Sequence, residues 1–501
     1  MSEKKIAQWL GFDVSTSKLA AGVRSSSGEE GFAAIPMRGA VEWNGQYAFD
    51  LLELPEMMLE VLQELERQGW VFEPPKDERW KTISWSVRQH DMVLQGPCGQ
   101  LLVPSLSWQC DSAEAEAERL NKISWLVDEV GPIASRFLLP KLRLALSLDP
   151  ALERKIFRVM TTGDLIGLRL TGLTRLSSSD GLCNGLMNQK TRELSELAIG
   201  AIDVPKEWFP PVFESGAKLG VIGKNYIPKE WKGLAELLDG WIAVAGLGDN
   251  HASAVGCGLV DESGCDDEQE MIVVSAGTSG TVTRLCSLWD DLTGDALCFD
   301  YYPGNRLLLM MLGDCAGWYN RFLATLGENN RQHEHWDKLA LETSHILRIP
   351  HKDDDGETYP ENWEKLGLAT RIASTQFSIA CELLLLVEKM LSEVKGKERT
   401  VTKLVLTGGL SQSRFFCLVF EAGVSVLDSN IRVMKSARSG PLAYETATYG
   451  ALINGMLVSG NLEEIIQDLC PQSECEKGQE TWRVDMRRKL RCALGVIGLE
   501  K

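Results

Sequence analysis

Two short stretches of this chain share one pattern of apolar and polar positions. Ile6-Ala7-Gln8-Trp9-Leu10-Gly11-Phe12 is apolar, Asp13-Val14-Ser15-Thr16-Ser17 is polar, and Leu19-Ala20-Ala21-Gly22-Val23 is apolar again. That order predicts a strand, a turn and a strand. It returns as Ile272-Val273-Val274-Ser275, then Ala276-Gly277-Thr278-Ser279-Gly280, then Thr281-Val282-Thr283. Elsewhere the apolar spacing predicts helices over 51–68, 113–130, 150–170, 371–394 and 443–457, the fourth carrying Leu383-Leu384-Leu385-Leu386-Val387. Further strands are predicted over 82–87, 240–248 and 401–407. Alternating strands and helices argue for α/β layers. The shared turns, Ser15-Thr16-Ser17 and Gly277-Thr278-Ser279, split the chain into two halves of similar build. The expected division is 1–245 and 246–501.

The length of 501 residues fits two large domains, because single cores stop growing near ~250–300 residues. Lys and Arg number 52 against 70 Asp and Glu, a net charge of −18. So acidic a chain is ill suited to binding nucleic acid or an anionic membrane through a broad basic face. A small phosphate ligand remains compatible, since backbone N–H groups can hold one without net positive charge. Thirteen cysteines with no Cys-x-x-Cys spacing argue for free, mostly buried thiols. The N-terminus carries no signal-like apolar stretch, and no membrane span is expected. The expected location is therefore the cytoplasm.

Several polar groups stand where strands end. A Ser/Thr/Gly turn between strands gathers N–H groups and hydroxyls into a concavity that suits phosphate oxygens, although an ordinary β-turn reads the same way. Asp13 precedes the first turn and fits either a Mg²⁺ contact or a turn cap. Gln89-His90-Asp91 follows the strand 82–87; the amide and imidazole can read sugar hydroxyls, or the histidine can be structural. Asp249 follows Gly246-Leu247-Gly248 at a strand's carboxyl end, where α/β proteins place ligands. It can take a proton from an attacking hydroxyl or cap the following helix. Gly408-Gly409 closes a buried strand and permits close approach of a flat ligand. His333-Glu334-His335 reads as a solvated helix face rather than a metal site.

Taken in order, these pieces resemble the FGGY family of carbohydrate kinases from residue 6 to about 460, most closely its xylulokinases. Asp13-Val14-Ser15-Thr16 resembles the first phosphate hairpin and Ser275-Ala276-Gly277-Thr278-Ser279-Gly280 the second. Gln89-His90 resembles the sugar-contact pair, with Asp91 where the family usually has Gly. Gly248-Asp249-Asn250 resembles the catalytic segment, and Thr407-Gly408-Gly409 the adenosine motif. The resemblance implies a two-domain actin-like ATPase (ribonuclease H-like) α/β fold, with ATP and sugar in the interdomain cleft. It implies Asp249 as general base, and Gln89, His90, Asn250 and Arg136 as sugar contacts. Thr16, Ser17, Gly277, Thr278, Ser279, Trp336, Gly408, Gly409 and Ser413 would meet ATP, and Asp13 would serve Mg²⁺. The implied reaction is phosphorylation of a ketose hydroxyl, xylulose to xylulose 5-phosphate. Ribulose, sedoheptulose, glycerol or a non-catalytic sensor are the alternatives. The expected partners are a small sugar and a second copy in a homodimer, with no nucleic acid and no membrane.

Overall fold

A computed structural model describes residues 4–495 apart from 76–80, 111, 224–226, 260–269, 278, 288–289, 301–304, 327–332, 350, 353–355, 358, 397–400, 437–439, 444, 459–471 and 477–478. The chain forms two compact units. The first comprises 1–261, 298–307 and 439–469; the second comprises 262–297, 308–438 and 470–501. The division expected at 245/246 therefore cuts the first unit just before its Asp249 helix. A late segment also returns to that unit, because its helix has an apolar seat there and sequence order does not restrict which sheet it covers.

The first unit is built on a seven-stranded sheet. β1 (Trp9–Val14), β2 (Lys18–Arg24) and β3 (Glu30–Pro36) form an antiparallel meander. β4 (Thr82–Val87) pairs parallel to β1, setting Asp13 opposite Ser86 and Val14 opposite Val87. β5 (Lys218–Val221) and β6 (Ile242–Val244) continue the sheet beyond β4. β7 (Leu247–Gly248) pairs with the end of β4, Gly248 opposite Val87. β4 is buried at every position, although Ile83, Trp85 and Val87 alternate with Thr82, Ser84 and Ser86; Thr82 and Ser84 hydrogen-bond residues of the Thr446–Met456 helix. The amphipathic helix α1 (Leu54–Arg67) covers one side through Met57, Met58, Val61, Leu62 and Leu65.

The predicted helix over 150–170 is divided. Arg158–Met160 is a strand that pairs antiparallel with Val93–Gln95, and α2 (Thr162–Thr171) starts after it. Thr161 and Asp164 form a capping box there, a stronger start signal than the apolar spacing upstream. α3 (Asp249–Gly256) lies against the helix Thr446–Met456 at very close range. A Cβ added to Gly450 would stand 1.7 Å from the Ala252 carbonyl oxygen, so only glycine fits. Asn454 ties the Thr446–Met456 helix to the sheet, donating to Ser84 Oγ at 2.7 Å and to the Ala245 carbonyl at 2.8 Å.

A second seven-stranded sheet, most of it in the second unit, repeats the plan. β8 (Glu270–Ala276) and β9 (Gly280–Ser287) make an antiparallel hairpin, and β12 (Val401–Thr407) runs parallel to β8. β10 (Leu297–Asp300), β11 (Asn305–Leu312), β13 (Arg432–Ser436) and β14 (Gln472–Glu474) complete seven strands in the order β10-β11-β9-β8-β12-β13-β14. The helices α4 (His333–Glu342), α5 (Leu368–Glu393) and α6 (Arg414–Leu427) belong to this unit. α5 is long and apolar enough to cross a membrane by composition, yet most of that stretch is buried within the protein.

Candidate active site

Three parallel strand ends converge in the first unit: Asp13 at the end of β1, Arg88 to Asp91 beyond β4, and Asp249 beyond β7. Edges of parallel sheets at their carboxyl ends are where α/β proteins bind ligands, because side chains there face outward from a rigid frame.

Asp249 is the first residue of α3 and does not cap it; Gly248 occupies the cap position. The Asp249 carboxylate accepts the Asn250 N–H at 2.8 Å and the backbone N–H of Gln89. Burial still pushes its carboxyl up to about 6, with the Asp91 charge adding to the rise. A carboxylate so poised suits general-base work near neutral pH.

Asp13 is 4 % exposed and its Oδ1 has no hydrogen-bond partner among the described residues. Burial pushes it up to about 7; the nearby charges of Asp249 and Glu445 act in the same direction and Lys18 against them. Excess negative charge and an orphaned buried oxygen are the conditions a divalent cation relieves, so the donor set fits Mg²⁺ at Asp13. The adjoining turn is shaped by Ser15, whose N–H and Oγ both reach the Lys18 carbonyl, at 3.1 and 2.8 Å. Thr16 accepts from Trp108 Nε1 at 3.1 Å, and Ser17 is exposed.

Gln89 and His90 are buried and held by distinct partners. His90 has φ 69°, a left-handed backbone that an ordinary side chain adopts only under constraint. Lys141, itself fully buried, supplies that constraint by donating to the His90 carbonyl and to those of Leu106 and Ser107. Burial, then the charges of Arg136 and Lys141, lower the His90 pKa well below its ordinary value, so the ring is neutral. Its Nδ1–H donates to Asn184 Oδ1 at 3.2 Å, leaving Nε2 as an acceptor. Phe137 stacks on the ring at 5.0 Å. Asn250 Nδ2 donates to Gln89 Oε1 at 2.7 Å, and Gln89 Nε2 donates to His251 Nδ1, also at 2.7 Å. Arg136 is near enough to act on His90 electrostatically.

In the second unit the β8–β9 turn and the end of β12 meet. Gly408 has φ +87°, and a Cβ there would stand 2.5 Å from the Ala276 carbonyl carbon and 2.7 Å from the Gly277 nitrogen. The Gly277 carbonyl accepts from Ala316 N–H at 2.8 Å. Gly277, Ser279, Gly408 and Gly409 thus lie around one backbone junction. Thr278 lies outside the described residues.

Residues 8–256 match the model of the FGGY family of carbohydrate kinases, N-terminal domain. The chain belongs to the FGGY family. The xylulose kinase of Lactococcus lactis subsp. lactis is 25 % identical over 249 residues, 47 % of this chain and 46 % of that enzyme. The chain therefore spans about half the length of the curated relatives it matches, or less. The ligand-bound xylulose kinase structure from Lactobacillus acidophilus superposes with TM-score 0.77 at 16 % identity, covering 99 % of this chain and 98 % of that one. The Plasmodium falciparum glycerol kinase structure with ADP gives TM-score 0.74 at 11 % identity, with 100 % of both chains covered. These likenesses establish the two-domain α/β FGGY fold.

Two expected nucleotide contacts of this FGGY chain are core residues instead. Ser413 is fully buried and caps α6: its Oγ accepts Phe416 N–H at 3.1 Å and lies 2.5 Å from Asp337 Oδ1 and 2.8 Å from Gln376 Oε1. The single hydroxyl proton is shared between those two acceptor oxygens, and complete burial closes the group to a ligand. Trp336 is 1 % exposed in α4 and presents no open ring face. Both expectations come from the resemblance alone, which carries no information on burial. Trp85 is likewise 1 % exposed, with Gly246 beneath its ring. The sequence reading missed Arg88, Lys141, Asn184 and His251. A charged residue within a strand-end run was the one available signal for Arg88; Lys141 and His251 sit on helices distant in sequence, and Asn184 just past the end of one.

Proposed function

We propose that this FGGY protein is an ATP-dependent kinase of a sugar hydroxyl, with a ketopentose such as xylulose as substrate and Asp249 as the base. The observation that carries the reading is Asp249 itself, half-buried, held by two backbone N–H groups and poised at about 6. At neutral pH it is ionised and can accept the proton of the attacking hydroxyl.

Gln89, His90, Asn250 and Arg136 are the residues we assign to the sugar. Neutral His90 offers Nε2 to a hydroxyl donor, while Asn250 stands beside the base on the same helix turn. Thr16 and Ser17 in the first unit, and Gly277, Thr278, Ser279, Gly408 and Gly409 in the second, are assigned to ATP. Asp13 would hold Mg²⁺, which when bound offsets phosphate charge. The similarity to xylulose kinases supports the ketopentose. Asp91, in the place of the family's usual Gly and paired with Arg88, favours a second reading: a kinase of another ketose or polyol. A coupled assay for ADP release over a panel of ketoses and polyols with MgATP tests both. Turnover confined to one ketopentose supports the first reading, and turnover confined to another sugar the second.

A further inference from the structure

The sugar-facing amide of Asn250 is not oriented by itself. It donates from Nδ2 to Gln89 Oε1 at 2.7 Å, and Gln89 donates from Nε2 to His251 Nδ1 at 2.7 Å. His251 is fully buried on α3, two residues from the base.

A primary amide has one accepting and one donating end, so each link fixes the next. Gln89 Nε2 can only donate, hence His251 Nδ1 accepts and its ring proton resides on Nε2. Gln89 must then turn Oε1 toward Asn250, and Asn250 must spend Nδ2 on that oxygen. Asn250 Oδ1 is left as the atom for a substrate. Were the His251 proton on Nδ1, the whole chain of amides would reverse and Asn250 would present N–H groups instead. The tautomer of one buried histidine and the hydrogen-bonding sense of the sugar site are a single variable.

We infer that His251 is a positioning and specificity-determining residue, which acts through Gln89 to make Asn250 an acceptor for a hydroxyl donor of the sugar. This rests on the reading above that Asn250 meets the sugar. His251 touches neither the reacting atoms nor the phosphates in this scheme. Its loss therefore alters sugar recognition before it alters nucleotide use.

The test uses the full chain and steady-state kinetics with MgATP and the ketose that the panel selects. His251→Ala should raise the KM for that ketose by about tenfold, the worth of one well-made hydrogen bond, with the KM for ATP unchanged. His251→Asn, whose side-chain oxygen can fall near the site of Nδ1, should restore most of the loss. The double variant His251→Ala/Asn250→Ala should be no worse than Asn250→Ala alone, because both act through one contact. An unchanged ketose KM in folded His251→Ala, or additive losses in the double variant, would overturn the inference. Were Asn250→Ala also to leave that KM unchanged, the sugar assignment itself would fall, and the relay with it. The ¹⁵N spectrum of the histidines in the unaltered chain is independent of folding of the variants. It should show His251 neutral with Nδ1 unprotonated, and a proton on Nδ1 would overturn the inference.

Discussion

Arg88 and Asp91 flank the Gln89-His90 pair and are joined to each other in the interior, Nε to Oδ2 at 2.7 Å, with side chains 1 % and 0 % exposed. The same guanidinium donates from Nη1 to the Ser15 carbonyl at 2.9 Å and lies over the Phe49 ring at 3.8 Å. One buried cation therefore links the Gln89-His90 loop to the turn at Ser15. Burial raises the Asp91 carboxyl, and Arg88 opposes that rise. Asp91→Ala would leave the cation buried and unpaired, so stability should fall by about 3–5 kcal/mol. Replacing both residues by apolar ones should recover much of it. Chemical denaturation at neutral pH of the two single variants and the double variant measures this; an additive double variant would contradict the pairing.

Asp13 costs the fold stability at neutral pH. Its carboxyl lies at about 7 in the folded chain against 3.8 in the unfolded one. The folded chain thus binds more protons between those values, and stability falls as pH rises through that window. Asp13→Asn should raise the melting temperature above pH ~7 by an amount worth roughly 2–4 kcal/mol, with the gain vanishing below pH ~4. The same variant should weaken the dependence of turnover on Mg²⁺. Melting curves across pH, with and without Mg²⁺, check both effects.

Turnover should carry an acid limb set by the base. Asp249 at about 6 must be ionised to accept a proton. The logarithm of kcat/KM should therefore rise with pH up to about 6 and level off above it. A profile flat down to pH ~4 would mean that no raised carboxylate takes part.

Ser413 separates a structural role from a nucleotide contact. Ser413→Ala removes the cap of α6 and its hydroxyl from Asp337 and Gln376. Stability should drop by about 0.5–2 kcal/mol, as for other lost caps, with the KM for ATP unchanged. Denaturation and ATP titration of the same preparation check the two halves.

The strands with one-sided or continuous apolar runs were legible in the sequence. β4 and β12 match their predicted spans, 82–87 and 401–407, β4 through the alternation of Ile83, Trp85 and Val87 with Thr and Ser, and β12 through its Leu404-Val405-Leu406 run. The paired hairpins were legible for the same reason, and they locate Asp13 and Gly277. What could not be read is which polar residues end up inside. Ser413 and Trp336 are placed at the nucleotide by the resemblance alone, and only the helices around them show that they are enclosed. Arg88 and Asp91 are three residues apart, yet nothing in their spacing says that both are buried and paired. His251 and Gln89 are 162 residues apart, and their contact exists only because β7 delivers α3 to the end of β4.

The most direct test of the central claim is ADP release with MgATP and a panel of D- and L-xylulose, D- and L-ribulose, sedoheptulose and glycerol, run beside Asp249→Asn. The account predicts turnover with a ketopentose and a loss of ~10²–10⁴-fold in the variant, the usual worth of a positioned base, with its fold intact by circular dichroism. Near-normal turnover in folded Asp249→Asn would contradict the assignment of the base. ATP binding with no turnover on any sugar or polyol would contradict the kinase reading.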